Sequence, residues 1–171
     1  MARIGRGDEA AFRVLSRRHL AAVVALARHI TGNAADAEDV AQEAMLRVWT
    51  HAPRWQPLAS FKTWLTRIVV NLCLDRRRRA APLPLDAAGD PADDMPDAHD
   101  RLEGAEAERR VAAAIGELPE RQRAAIALTY REGLSNAEVA DILGTSVSAV
   151  ETLLVRAKQK LRARLAPERD D

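Results

Sequence analysis

One stretch of the chain, residues 60–79, constrains the fold more than any other. Ser60 is a suitable helix N-cap, and neither glycine nor proline follows it before Pro82. At about 100° per residue, four apolar residues fall on one face, with Val69 beside them: Phe61, Leu65, Ile68 and Leu72. The opposite side is polar and ends in four consecutive arginines. The pattern predicts a helix that packs on a bundle along one face and presents cations along another.

The cationic face permits two interpretations. Such a helix could lie against nucleic acid, but a basic helix end is also typical of a surface helix whose arginines favour the helix dipole. The charge distribution favours a polyanion partner, although the net charge is only +1. Residues 1–80 carry 14 Lys and Arg against 7 Asp and Glu, whereas residues 81–104 carry 1 against 7.

The composition favours helices throughout. Ala, Leu, Arg and Glu dominate the 171 residues, and only 4% are aromatic. Cys73 is the single cysteine, which excludes an intramolecular disulfide and a cysteine-based metal cluster. We expect no cofactor and no metal. No signal segment and no apolar run of about 18 residues occur, so we expect a cytoplasmic protein without membrane insertion.

Residues 1–80 predict one helical module. Asp8 is placed to cap a helix that runs to about Thr31, and Gly32 stands where a left-handed residue ends a helix. Asn33 opens a second helix, whose inner face is apolar: Ala37, Val40, Ala44 and Val48. Residues 81–104 then hold four of the eight prolines and six aspartates, which predicts a flexible acidic linker.

Residues 105–171 predict a second module. A first helix should end near Gly116, with Val111 and Ile115 directed inward. Ser135 and Glu138 fit a capping box, a glycine ends the short helix they open, and Thr145 or Ser146 caps a longer one. This order is typical of a helix-turn-helix, although an αα-hairpin with a basic tail would share it. The fold class is therefore all-α, with two small helical modules.

Two stretches resemble the bacterial sigma factors of the extracytoplasmic-function (group IV) class. DAEDVAQEAMLRVW at 36–49, followed by FKTWLTRIVVNLCLDRRRR at 61–79, is similar to region 2 of that family. LPERQRAAIALTYREGLSNAEVADILGTSVSAVETLLVRAKQKLRARL at 118–165 is similar to region 4. The resemblance implies a subunit that binds core RNA polymerase and directs it to promoter DNA, commonly under control of an anti-sigma factor.

The resemblance also implies where each partner binds. The β′ clamp coiled coil would meet the acidic-polar face of the second helix, and region 4 would meet the β flap. The core-binding candidates are Asp36, Glu38, Asp39, Gln42, Glu43 and Arg47.

The −10 element would be read as single-stranded DNA by the 61–79 helix and the loop before it. A flipped base needs a pocket, which residues 54–60 could build. The candidates are Lys62, Thr63, Trp64, Arg67 and Asn71, with Arg76, Arg77, Arg78 and Arg79 for phosphates. Trp64 has an equal alternative as a packing residue at the edge of the bundle.

The −35 element would be read in the major groove by the 146–160 helix. The candidates are Ser146, Ser148, Glu151, Thr152, Val155, Arg156, Lys158 and Lys160. The sequence departs from the family at Glu151 and Leu153, where members often carry arginine. Glutamate can accept from cytosine but repels phosphate, so a known −35 preference does not transfer.

Two other classes of function stay open. Residues 134–140, LSNAEVA, also resemble the helix-turn-helix of LuxR-type regulators, so a stand-alone two-domain transcriptional regulator is the main alternative. An enzyme is the weaker one, because the four histidines are scattered and no Gly-rich phosphate loop or nucleophile motif occurs. We expect no enzymatic activity.

Overall fold

The computed structural model describes residues 1–80 and 100–166, without the side chains of residues 77–80, 100–105 and 107. Helices and turns make up this part of the chain, and it contains no strand, which confirms the all-α prediction. The helices are α1 (Glu9–Thr31), α2 (Ala34–His51), α3 (Phe61–Ala80), α4 (Asp100–Gly116), α5 (Glu120–Ile126), α6 (Asn136–Leu143) and α7 (Val147–Leu165). Short 3₁₀ turns occupy Ile4–Arg6 and Ala52–Arg54, and a π-helical turn, Ala127–Arg131, continues α5.

Local side-chain chemistry sets where the first three helices begin. The Asp8 carboxylate accepts the Ala11 backbone N–H at 2.9 Å, and the Asn33 side chain accepts the Asp36 N–H at 3.0 Å. The Ser60 hydroxyl accepts the Thr63 N–H at 3.1 Å. Gly32 separates α1 from α2 at φ 73°, a left-handed conformation that glycine adopts without strain. The predicted starts of these helices are confirmed.

The first module consists of α1, α2 and α3, which pack against one another around buried aliphatic side chains. Ile30, Val48 and Val69 are fully buried, one from each helix. The inner face predicted for the second helix is also buried: Ala37, Val40, Ala44 and Val48. Each helix therefore contributes one apolar stripe to this core, as the periodicity indicated.

The second module consists of α4 to α7. Ser135 and Glu138 form the predicted capping box at α6, and the Ser146 side chain accepts the Ala149 N–H to cap α7. The inward placement of Val111 was wrong, because its side chain is 41% exposed. Helix α4 packs on α7 and buries Ala114 instead. Helix α4 begins at Asp100, inside the segment predicted as linker, while residues 81–99 lie outside the described part.

The two modules pack against each other. Helix α1 contacts α5, and α3 contacts both α5 and α6. The buried side chains form one cluster that includes Val70 of α3, Leu128 of the π-helical turn and Ile142 of α6. Helix α3 thus lies between its own module and the other one.

Candidate polymerase and nucleic-acid interface

A groove of about 750 Å³ runs between α2 and α3. Its rim is charged and its floor is apolar, and it is lined by Asp39, Val40, Gln42, Glu43, Leu46, Arg47, Leu72 and Arg76. Four of the six predicted core-binding residues lie here. Glu38 is exposed but does not line the groove, whereas Leu46 does and is 55% exposed. Sequence reasoning missed Leu46, although it stands three residues after Glu43 on the same helical face.

Arg76 belongs to this groove and not to the surface predicted for DNA. Its Nε donates to Asp36 at 2.9 Å and its terminal NH2 nitrogen to Asp39 at 2.5 Å. The two carboxylates, Asp39 above all, raise the pKa of Arg76 above its ordinary value. Arg76 is eleven residues after Leu65, three helical turns along the buried stripe, and therefore points toward α2. The structure separates it from Lys62 and Arg67.

Aromatic side chains cluster where the loop 54–60 meets α3. The Trp55 and Trp64 rings lie 6.5 Å apart at 67°, and Phe61 and Trp64 lie 5.9 Å apart. His19 of α1 meets the edge of Phe61 at 5.1 Å. Trp64 is half-buried and contacts two other rings, so it packs at the bundle edge and keeps an accessible part. Trp55, a second tryptophan in the loop that was predicted to form the pocket, was missed as an individual residue.

Two cations of α3, Lys62 and Arg67, are paired with acids of the second module. The ammonium of Lys62 lies 3.0 Å from the Glu132 carboxylate, and Arg67 donates to Asp141. Asn71 is exposed, and the Thr63 hydroxyl lies 2.8 Å from that of Ser60. The side chains of Arg77, Arg78 and Arg79 lie outside the described residues. The predicted −10 candidates are therefore only partly brought together.

Helix α7 presents a continuous open face. Val150, Leu154 and Ala157 are buried against the module, and the opposite side is exposed. That side carries Ser148, Glu151, Thr152 and Val155, with Val155 54% exposed. Gln159 is exposed on the same face, one turn beyond Val155, and was missed, although its spacing from Thr152 and Val155 indicated it. Polar groups and one apolar side chain on an open face can read base edges and a thymine methyl group.

Cations flank this face on both sides. Arg156 and Lys160 are exposed along one edge. Lys158 lies on the other edge, with its ammonium 5.2 Å from the centre of the Tyr130 ring, a cation–π distance. Ser146 caps the helix with its hydroxyl, so it stands at the start of the face and not on it. Helix α7 therefore matches the arrangement of a recognition helix, with base-reading side chains between phosphate-binding ones.

Arg123 of α5 is the buried charge that sequence reasoning missed. Its side chain is 4% exposed, and its Nε donates to the Ile30 carbonyl at 2.7 Å. Its terminal nitrogens donate to the carbonyls of Gly116 at 2.6 Å and Thr31 at 3.2 Å. Ile30 and Thr31 end α1, where carbonyls lack partners within the helix and the dipole favours a cation. A buried arginine from the second module thus caps a helix of the first.

Cys73 takes no part in these surfaces. Its side chain is 1% exposed, and burial raises the pKa of its thiol to about 12. The thiol is therefore protonated at neutral pH and packs as an apolar group, which is the interpretation that the sequence favoured.

Comparison with known proteins defines the family. The family model for Sigma-70 region 2 matches residues 15–82, and that for Sigma-70, region 4 matches residues 108–161. The RNA polymerase sigma factor CnrH of Cupriavidus metallidurans is 33% identical over 174 residues, which cover 96% of this chain and 91% of the relative. The chain therefore belongs to the ECF RNA polymerase sigma factors of the sigma-70 family, and the proposed identity of both modules is confirmed.

Further relatives agree with this assignment. The ECF sigma factor SigE of Mycolicibacterium smegmatis is 36% identical over 171 residues, covering 94% of this chain and 65% of the relative, so the chain spans just under two thirds of that protein. The solved structure of CnrH in complex with the cytosolic domain of CnrY is 34% identical, covers 96% of this chain and 93% of that chain, and has a TM-score of 0.65. RpoE of Bartonella quintana, solved with the anti-sigma factor NepR, has a TM-score of 0.71 at 22% identity over 93% of this chain and 99% of that chain, which shows the fold alone.

Among the described residues, no helix is both long enough and apolar enough to cross a membrane.

Proposed function

We propose that this chain binds core RNA polymerase and directs it to promoters, reading the −35 element with α7 and the −10 element with α3 and the loop 54–60. The observation that carries the proposal is the open face of α7, on which base-reading side chains lie between cations. A helix-turn-helix places such a face in the major groove. Membership of the sigma-70 family supplies the polymerase as the partner.

Core binding is assigned to the groove between α2 and α3. Its charged rim suits the flanks of a coiled coil, and Leu46 and Leu72 offer an apolar floor for a knob from the partner. The salt bridges from Arg76 to Asp36 and Asp39 fix the rim. Residues of the β′ clamp coiled coil would occupy this groove, and the β flap would meet the second module.

Two exposed leucines allow a matched test of the groove. Leu46→Asp places a charge on the groove, and Leu20→Asp places one on α1, where Leu20 is 42% exposed. Both sites are open enough to accept a charge without burial. We expect Leu46→Asp to weaken binding to core polymerase at least tenfold, which is about 1.4 kcal/mol, and Leu20→Asp to leave it unchanged. Equal affinities in surface plasmon resonance would remove the groove as the docking site.

The −10 element is assigned to the aromatic cluster and the cations beside it. Trp55 and Trp64 offer ring faces on which an unpaired base stacks, a contact worth about 1–3 kcal/mol per base. Lys62 and Arg67 would then bind the phosphates of that strand. Arg77, Arg78 and Arg79 keep their predicted role as phosphate contacts.

Run-off transcription tests the whole proposal. Purified core polymerase would be mixed with a pool of bacterial promoter fragments, with and without the protein. We expect transcripts that depend on the protein and share an upstream sequence. Transcripts in equal yield without the protein, or no transcript from any promoter fragment, would contradict the assignment.

A stand-alone regulator is the second candidate, and one observation favours it. The face of α7 is open, whereas Lys62 and Arg67 of α3 are paired with acids. The protein could therefore bind duplex DNA through the second module alone. Tight binding of one duplex without polymerase, combined with failure in the run-off assay, would select this candidate.

Regulation and location follow from the same proposal. A partner that covers the groove and the α7 face would act as an anti-sigma factor. NepR is the anti-sigma factor solved in complex with RpoE. The protein would work where the polymerase works, in the cytoplasm. We also propose that it supplies no catalytic group, because RNA synthesis belongs to the polymerase. Recovery of the native protein only in free form, with and without stress, would contradict control by an anti-sigma factor.

A further inference from the structure

The polar contacts between the two modules are of two kinds. Arg123 forms a buried contact, with two hydrogen bonds to the last carbonyls of α1. The others reach solvent through at least one partner: Lys62 pairs with Glu132, Arg67 pairs with Asp141, and Arg131 lies 3.3 Å from the ring nitrogens of His29. A buried, multiply bonded arginine holds one geometry, whereas an ion pair with a partner in solvent contributes little and exchanges readily with other ions.

The two ion pairs involve the cations that would bind the −10 strand. Glu132 precedes Gly133 after the π-helical turn, and Asp141 lies on α6, so both acids come from the second module. Each offers carboxylate oxygens where a phosphate would offer its own. A strand phosphate that binds Arg67 must therefore displace Asp141, and one that binds Lys62 must displace Glu132.

The pairing of Arg67 is incomplete in this arrangement. Its Nε is buried and has no hydrogen-bond partner among the described side chains and backbone, while its NH2 nitrogen donates to Asp141. An arginine presents a fork of donors that a phosphate satisfies on two atoms at once. The contact with Asp141 thus leaves the buried Nε donor without a partner, and a phosphate that replaced Asp141 in an open form could satisfy both donors.

We propose that the free protein holds itself closed, with Glu132 and Asp141 occupying the phosphate positions on Lys62 and Arg67 while Arg123 fastens the second module to α1. This inference rests on the proposed role of α3 in binding the −10 strand. The closed form carries an open α7 face and an occupied α3 face. Opening at Arg123 then exposes the cations of α3 to single-stranded DNA.

The closing contact is measured directly as a distance between the modules. Cysteines introduced at two exposed alanines, Ala22 of α1 and Ala163 of α7, accept spin labels for pulsed electron resonance. Native Cys73 stays unlabelled because it is buried. We expect one narrow distance in the otherwise unchanged protein and a broader, longer distribution with Arg123→Met.

Arg121 supplies a matched control for Arg123. It lies on the same helix and donates to the Leu143 carbonyl within its own module at 3.1 Å. Arg121→Met removes an arginine of the same size without touching α1, so the narrow distance should persist. An unchanged distance with Arg123→Met, or an equal broadening with Arg121→Met, would overturn the role of Arg123 as the fastening residue.

Occupation of the phosphate positions is measured by salt dependence. The probe is a fluorescent single-stranded oligothymidylate, whose binding is followed by anisotropy at several salt concentrations. Each phosphate neutralised on single-stranded DNA adds about 0.7 to the slope of log K against log salt. The variant Glu132→Gln/Asp141→Asn frees two cations, so we expect its slope to be steeper by about 1.4.

The acid substitutions also keep the proposal testable if Arg123→Met fails to fold. Arg123→Met removes a buried network, whereas Asp141 is 71% exposed at its side chain and the Glu132 change keeps its size. Glu106→Gln/Glu108→Gln, at two exposed acids of α4, removes the same charge without freeing a cation of α3. Two results would overturn the occupation of the phosphate positions. One is a salt-dependence slope in this control as steep as that of Glu132→Gln/Asp141→Asn, and the other is an unchanged slope in Glu132→Gln/Asp141→Asn itself.

Run-off transcription separates this inference from the proposed function. A broadened distance and a steeper slope support closure even when no variant, nor the unchanged protein, directs transcription. That last result would count against the sigma role alone. Activity of the unchanged protein together with an invariant narrow distance in the polymerase complex would overturn closure alone, because the occupied face would then be the active one.

Discussion

The two DNA faces of the molecule differ in what covers them. The reading face of α7 is open to solvent, with Val155 and its polar neighbours exposed. The cations of α3 face the other module, where Glu132 and Asp141 meet them. Both helices are amphipathic and basic, so their own sequences do not explain the difference. A helix face becomes available or occupied through what packs beside it.

The cause lies in the position of each helix within the fold. Helix α7 packs on α4, α5 and α6 and buries one side. Helix α3 packs on α1 and α2 and also on α5 and α6, so residues on two sides of it are buried, among them Leu65 and Val70. The comparison makes four predictions, in order of decreasing effect.

The largest effect should come from Arg123→Met, which removes the contact that fastens the second module to α1. It leaves buried carbonyls without donors, each costing about 1–3 kcal/mol, so we expect the free energy of unfolding in urea to fall by about 3 kcal/mol. The three tryptophans lie in the first module and report its unfolding separately. We expect their transition to separate from that of far-ultraviolet circular dichroism. Coincident transitions would show that the modules are coupled by other contacts.

The second effect concerns the open face. Glu151→Gln removes a negative charge that repels phosphate. The Glu151 carboxylate can only accept a hydrogen bond, from a donor such as the cytosine amino group. We expect tighter binding to duplex DNA of any sequence and a loss of about 1–3 kcal/mol in discrimination at one base pair. Selection of bound fragments from a random duplex pool measures both. Glu108→Gln, an equal charge change on α4, should alter neither, and an unchanged preference with Glu151→Gln would place the residue outside the contact.

The third effect is the coupling between Arg67 and Asp141. A double-mutant cycle with Arg67→Gln and Asp141→Asn should give a coupling free energy of about 0.2–1 kcal/mol, because the Asp141 side chain is 71% exposed and the pair reaches solvent. The pair Arg164 and Glu117 provides a control within the second module, at 2.7 Å. In an Arg123→Met background we expect the first coupling to vanish and the second to stay. Loss of both would mean that the second module itself had unfolded.

The smallest effect is acid sensitivity of the two caps. The Ala11 N–H, followed by Arg3, lowers the pKa of Asp8, and the backbone and side chain of Ser135 lower the pKa of Glu138. A lowered folded pKa gives stability that is complete above the unfolded value and lost as pH falls through the folded one. We expect Asp8→Asn in the first module and Glu138→Gln in the second to lower the free energy of unfolding at neutral pH and to make its fall below about pH 4 shallower. Tryptophan and Tyr130 fluorescence follow the modules separately, and an identical acid response in all three proteins would contradict the capping role.

The sequence by itself determined the elements and their ends. Caps are local chemistry, so Asp8, Asn33, Ser135 and Gly32 indicated the helix boundaries without knowledge of the neighbours. Helical periodicity also identified the buried stripe of each long helix. The resemblance at residues 36–49, 61–79 and 118–165 indicated the family, which the relatives confirmed.

The tertiary structure alone decided which charges are available. Arg76 belongs with the arginine run in sequence, yet it pairs with Asp36 and Asp39 of α2 because helix rotation directs it away from Arg67. The sequence alone predicts an ordinary surface arginine at Arg123. The residue is nevertheless buried, because the end of α1 offers carbonyls that need donors. Such pairings join residues many positions apart in the chain. Local patterns carry no information about these distances, and only the packing of one module on the other sets them.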